Sequence, residues 1–254
     1  TYYCGDECAQ AHWPKHKVYH KEQKQWEEQV REGGQAERTR LMAEAEARRA
    51  ERTGDEYDKR FAAALELGAQ GDLYGEAKAW RKIIKQWPHE SIPCYNLAIV
   101  LQHSRRLVEA APMFLKAMEL LKDGTEEWAK AAASAFNVLK LPDCDDVPTP
   151  EWWNDEALKA LSARVVASAP DGHQPCAMRA GVLSGDALAK APWNAGPRTA
   201  AEVKEAAVWY RRAARLTHAP SDKLDYDEAA SKCDEIADPL LAKEEAEAAK
   251  ARAA

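Results

Sequence analysis

Cys94-Tyr95-Asn96-Leu97-Ala98, then Leu101, then Arg106-Leu107-Val108-Glu109-Ala110, then Phe114, Ala117 and Leu120 form the stretch on which the fold turns. Apolar residues recur three and four positions apart on both sides of Ser104-Arg105-Arg106, as two amphipathic helices joined by a tight turn require. Small Ala98 and Ala110 permit close helix approach, while Leu97, Leu101 and Phe114 fill the contact and Ala117 leaves room for a following unit.

The stretch before it repeats the layout. Ala64-Leu65, Gly71-Asp72-Leu73-Tyr74, Glu76-Ala77, Trp80 and Trp87-Pro88 match it in order, with about one residue inserted in the turn. A poorer third copy runs through Met178-Arg179-Ala180, Leu183, Glu205-Ala206-Ala207, Tyr210 and Ala213, with a long loop between its helices. The Cys94 to Leu120 stretch resembles a tetratricopeptide unit, whose period is about 34 residues. That resemblance implies stacked hairpins with a concave groove for peptides or partner helices, because one hairpin cannot bury its own apolar face. A generic bundle of Ala-rich helices would place the same residues in an ordinary core. Both readings are all-α, and the expected fold is antiparallel helical hairpins, tetratricopeptide-like, with a small partial zinc finger at the N-terminus.

The composition shifts along the chain predict five segments. Residues 1–20 are dense in Cys, His and aromatics and form a partial finger. Residues 21–60 are rich in Glu, Lys, Arg and Gln, with a Gly33-Gly34 break, and read as a charged helical linker. Residues 61–140 carry the two better repeats, and residues 141–240 further hairpins with the degenerate copy. Within the latter, helices are expected from near Glu151 or Trp152 to before Pro170, over Pro175 to Leu183, over Thr199 to Thr217 behind a Thr199-x-x-Glu202 capping box, and over Leu224 to Ala237. Residues 241–254 are Ala, Glu and Lys with little to pack, so a frayed solvent helix or disorder is expected.

Tyr3-Cys4-Gly5-Asp6-Glu7-Cys8-Ala9-Gln10-Ala11-His12-Trp13-Pro14-Lys15-His16-Lys17-Val18-Tyr19-His20 holds the only close cysteine pair. Cys4 and Cys8 lie about one turn apart, as do His16 and His20, so each pair can reach one ion; thiolate and imidazole together suit tetrahedral Zn2+. The stretch resembles the C-terminal half of a MYND-type zinc finger, with His20 where the family has its final cysteine. The resemblance implies two interleaved zinc ions, Cys4 and Cys8 on one and His16 and His20 on the other, with the remaining ligands drawn from sequence before Thr1. Without that first half, zinc binding by this chain would be weak or absent, because binding must also order the segment. A mixed site of Cys4, Cys8 and His12 or His16 is the non-native alternative. Histidines sitting among lysines on a surface helix are the bland one.

The six cysteines, at 4, 8, 94, 144, 176 and 233, do not form a disulfide framework, which places the chain in the cytoplasm or nucleus. Cys94, Cys144, Cys176 and Cys233 read as small buried hydrophobes. A formal charge of -6 argues against a broad grip on nucleic acid, and no apolar run suggests a membrane span. Trp152-Trp153 reads as a helix anchor more than a recognition surface, and Asp143, Asp145 and Asp146 as a solvated turn without the Gly and Glu of a calcium loop. No phosphate loop, nucleophile elbow or His-Glu-x-x-His occurs, so the chain is read as a non-enzyme. The expected function is a zinc-binding adaptor, its finger taking a peptide, proline-containing by family resemblance, and its repeats holding a second protein partner. The alternatives are an accessory part of an enzyme whose catalytic domain lies upstream, or a purely structural zinc-stabilised module.

Overall fold

The computed structural model describes residues 37–185 and 198–253, which form helices α1 to α10, the 3-10 turn Pro142–Cys144 and, among the described residues, no strand. The chain divides into two compact units, one ending at Gly75 and the other starting at Glu76.

In the first unit, α1 covers 37–53 and α2 covers Glu56–Ala69. Gly54, at φ 64°, breaks the chain between them, and Asp55 caps α2 by accepting from the amides of Tyr57 and Asp58 at 2.7 and 3.3 Å. Buried Asp58 is satisfied from α1, by the Thr53 hydroxyl at 2.8 Å and the Arg49 guanidinium at 3.3 Å. That pairing keeps an acid inside without leaving it uncompensated.

α2 ends in a left-handed cap. Gly71 takes φ 79°, its amide donates to the Gly68 carbonyl, and the Asp72 amide reaches back to Leu67 at 2.9 Å. Asp72 then starts α3 (Leu73–Gln86) by accepting from the Gly75 amide at 2.8 Å. A Cβ at Gly75 would stand 2.2 Å from the Asp72 carboxylate, so a glycine there lets the acid fold over the helix start.

The second unit holds the rest of α3, then α4 (Ser91–His103), α5 (Leu107–Leu120), α6 (Glu126–Leu139), the 3-10 turn Pro142–Cys144, α7 (Asp155–Ser168), α8 (His173–Ser184), α9 (Ala200–Leu216) and α10 (Pro220–Ala253). Each helix packs on its neighbour in sequence from α4 to α10, and α6 also touches α8. This is a succession of helical hairpins. The α4–α5 turn repeats the α2–α3 turn: Arg105 takes φ 57°, and the amides of Arg105 and Arg106 reach Gln102 and Leu101. Both turns are three residues long, so the inserted residue expected in the first is not found.

Alanines set how close the helices come. Ala129, Ala131, Ala132, Ala133 and Ala135 of α6 have no exposed surface, and α6 is the most deeply enclosed helix. One core joins α6, α7 and α8 through Trp128, Phe136, Leu158, Val165, Met178 and Val182. Another joins α8, α9 and α10 through Leu183, Val203, Tyr210 and Cys233. Replacing a side chain such as Phe136, fully buried here, with alanine removes about 3–5 kcal/mol.

Helix limits differ most from expectation at α7 and α10. α7 starts at Asp155, because Asn154 caps it by accepting from the Ala157 amide at 3.0 Å, leaving Trp152 and Trp153 in the preceding turn. α9 keeps the expected capping box, Thr199 and Glu202 each bonding the other's amide. α10 runs well beyond Leu224–Ala237 at both ends and passes through Pro239, and its Glu244 accepts from the Ala200 amide at the start of α9. Among the described residues no helix is long and apolar enough to cross a membrane.

Candidate protein-binding face

Cys4, Cys8, His16 and His20 lie outside the described residues. Among the described residues no group of three or more His, Cys, Asp or Glu is placed to hold a metal ion. The thiols of Cys94, Cys144, Cys176 and Cys233 are free and buried. Burial pushes all four up from the usual thiol range, Cys233 to about 11, so they stay protonated and act as packing atoms. Cys144 anchors the acidic turn, while Asp143, Asp145 and Asp146 around it are exposed.

Trp152 and Trp153 are half-buried against the α6–α7–α8 core. The Trp153 ring lies 5.6 Å from Phe136 and 5.7 Å from Trp152, which is how a helix start is anchored to a core.

The polar feature that links successive hairpins lies elsewhere. The Tyr95 hydroxyl on α4 stands 3.4 Å from the Ser134 hydroxyl on α6, which donates to Gln174 Oε1 on α8, also at 3.4 Å. Three alternate helices therefore meet along one uncharged seam. Tyr95 is held edge-on against Phe114, with ring centres 5.5 Å apart. Ser134 is sunk among the α6 alanines at 3% exposure, and Gln174 sits in the first turn of α8. Helical spacing puts Ile99 and Gln102 on the Tyr95 stripe, and Lys130 and Asn137 on the Ser134 stripe. Contacts of 3.4 Å are long for hydroxyl hydrogen bonds, so the three groups hold one another only weakly. Tyr95, Ser134 and Gln174 are neutral donors and acceptors, while Lys130 on the flanking stripe is paired with Glu126.

A second polar cluster is structural. Arg198, 3% exposed at its side chain, bonds Asp155 at 2.5 Å and the Val182 carbonyl at 2.9 Å. Lys159 bridges Asp155 and Glu202, and Arg179 joins the Lys159 carbonyl to Glu205. The cluster ties α7, α8 and α9 together. Asp155 and Glu202 are opposed by burial, yet their cationic partners hold both carboxyls below the usual range.

The Tyr95–Ser134–Gln174 seam escaped sequence reading, because its members are 39 and 40 residues apart. The one local signal was a serine inside an alanine run, which has no reason to be there on packing alone. No protein-family model matches the chain, and no curated protein matches it.

Proposed function

We propose that the chain is a zinc-binding interaction adaptor, in which the N-terminal finger takes a peptide and the helical hairpins hold a second protein partner. The observation that carries the second half is the uncharged seam of Tyr95, Ser134 and Gln174 across α4, α6 and α8. A surface built from consecutive hairpins offers a partner many hydrogen-bonding positions in register, and it needs no reactive group to do so. The first half rests on the Cys4, Cys8, His16 and His20 pattern and on its resemblance to a MYND-type finger. A zinc-organised segment beside a helical array gives two separate binding surfaces on one chain.

The test is recovery of co-purifying proteins with the full chain and with residues 61–237 removed. The proposal expects one set of partners to be lost on deletion and another to persist until Cys4 and Cys8 are replaced by serine. Identical recovery with and without residues 61–237 would count against the scaffold role.

A further inference from the structure

At the end of α5 the second unit carries a cleft of about 290 Å3, between the α5–α6 connection and the turn leading into α7. Its floor is apolar and aromatic, built from Met118, Leu121, Trp128 and Trp152, and its rim carries the carboxylates of Glu119 and Asp123. No cation is among its lining residues. The last carbonyls of α5 add the negative end of a helix dipole at the same place. An apolar floor beside the Glu119 carboxylate and a helix C-terminus favours a group that is cationic and weakly hydrated at once.

One wall of the cleft already shows how such a group is held. The Arg164 guanidinium lies over the Trp128 ring, 5.1 Å from its centre, and pairs with Asp123. Indole face and carboxylate thus act together on one cation. The cleft is also lined by Trp152, half-buried, and by Glu119, exposed and without an ion pair among the described residues.

We propose that the cleft receives an arginine side chain from a segment of a partner protein, its guanidinium stacked on Trp152 and paired to Glu119. Flanking apolar side chains of that segment would rest on Met118 and Leu121. Arginine fits better than lysine because its planar fork stacks on an indole and pairs with a carboxylate side-on, at lower desolvation cost. The volume is at the small end of ligand clefts and suits one side chain more than a cofactor. With Asp123 already neutralised by Arg164, the unpaired Glu119 carboxylate and the α5 C-terminus leave the cleft favouring a cation over a phosphate. The inference goes beyond the adaptor reading, since neither the finger nor the α4–α6–α8 seam contributes to the cleft.

The test uses the full chain, calorimetry, and indole N–H resonances with that of Trp152 assigned by its loss in Trp152→Phe. The probes are acetyl-Leu-Arg-Leu-amide and its citrulline counterpart, which keeps the shape and removes the charge. The arginine peptide should move the Trp152 resonance and bind about tenfold more tightly than the citrulline peptide. Glu119→Gln, an exposed change, should abolish that preference and leave the citrulline affinity unaltered. Equal affinities in the wild-type chain, a preference that survives Glu119→Gln, or no saturable binding at about 5 mM peptide would each overturn the proposal. Because Glu119→Gln leaves Tyr95, Ser134 and Gln174 intact, such a failure leaves the adaptor reading standing.

Discussion

Gly71 and Arg105 occupy the same left-handed position, φ 79° and 57°, in two three-residue turns whose hydrogen bonds match amide for amide. The turns are 34 residues apart in sequence, and each closes a helix and opens the next. Glycine adopts this conformation without cost, whereas arginine has a Cβ to accommodate.

Arg105→Gly therefore relieves strain at a side chain that is exposed. We expect a gain of about 0.5–1 kcal/mol, the released strain exceeding the extra freedom of glycine in the unfolded chain. The reciprocal change, Gly71→Ala, meets no neighbour within 4 Å yet should cost about 1 kcal/mol through φ alone. Paired thermal melts of the two variants check the opposite signs.

The Glu76 carboxylate, 8% exposed, accepts from the fully buried Trp80 indole at 3.0 Å. Burial raises its carboxyl above the usual range and the indole only partly offsets this. A carboxyl raised on folding contributes stability below its unfolded pKa and loses it as pH rises through the folded value. Glu76→Gln keeps an acceptor for Trp80 and removes the charge, so denaturant midpoints should rise near neutral pH and lose that part of their decline between mildly acidic and neutral pH.

Asp155 and Glu202 behave oppositely. Their carboxyls are held low by Arg198 and Lys159, so the stability they contribute is present above the unfolded carboxyl range and disappears as pH falls through the folded values. Arg198→Ala should remove about 2 kcal/mol at neutral pH, where Asp155 loses a charged partner and the Val182 carbonyl a donor. It should also flatten the acid side of the stability profile, which melts across the acid range would reveal.

Much of the architecture was readable because local chemistry and packing agree. Ala98, Ala110 and Phe114 are all fully buried, as their spacing around the second turn requires. Thr199 and Glu202 cap α9 as their spacing foretold. Of the two alternatives expected for residues 241–254 the solvent helix is found, as a continuation of α10 to Ala253 through strong helix formers, and Glu244 is bonded to the start of α9, a partner no single-helix pattern displays. Trp152 and Trp153 gave an aromatic start to α7, but Asn154 is the residue able to cap it. The seam of Tyr95, Ser134 and Gln174 depends on three helices stacking, a relation written in no single window of sequence.

For the finger, the zinc content of the protein is the measurement. By its family resemblance the complete motif should hold about two zinc ions per chain, with Cys4→Ser and His16→Ala each lowering the count by about one. A count well below two that neither variant changes would remove zinc from the account.

The central claim is that the stacked hairpins bind a partner along α4, α6 and α8. Its most direct test is partner recovery with the full chain carrying Tyr95→Phe, Ser134→Ala and Gln174→Ala together. These changes remove the seam's donors and acceptors and spare its packing, so helix content should stay near that of the unmodified chain. The account predicts that partners lost on deleting residues 61–237 are also lost, or recovered about tenfold less, with the triple variant. Full recovery of those partners by a folded triple variant would contradict it.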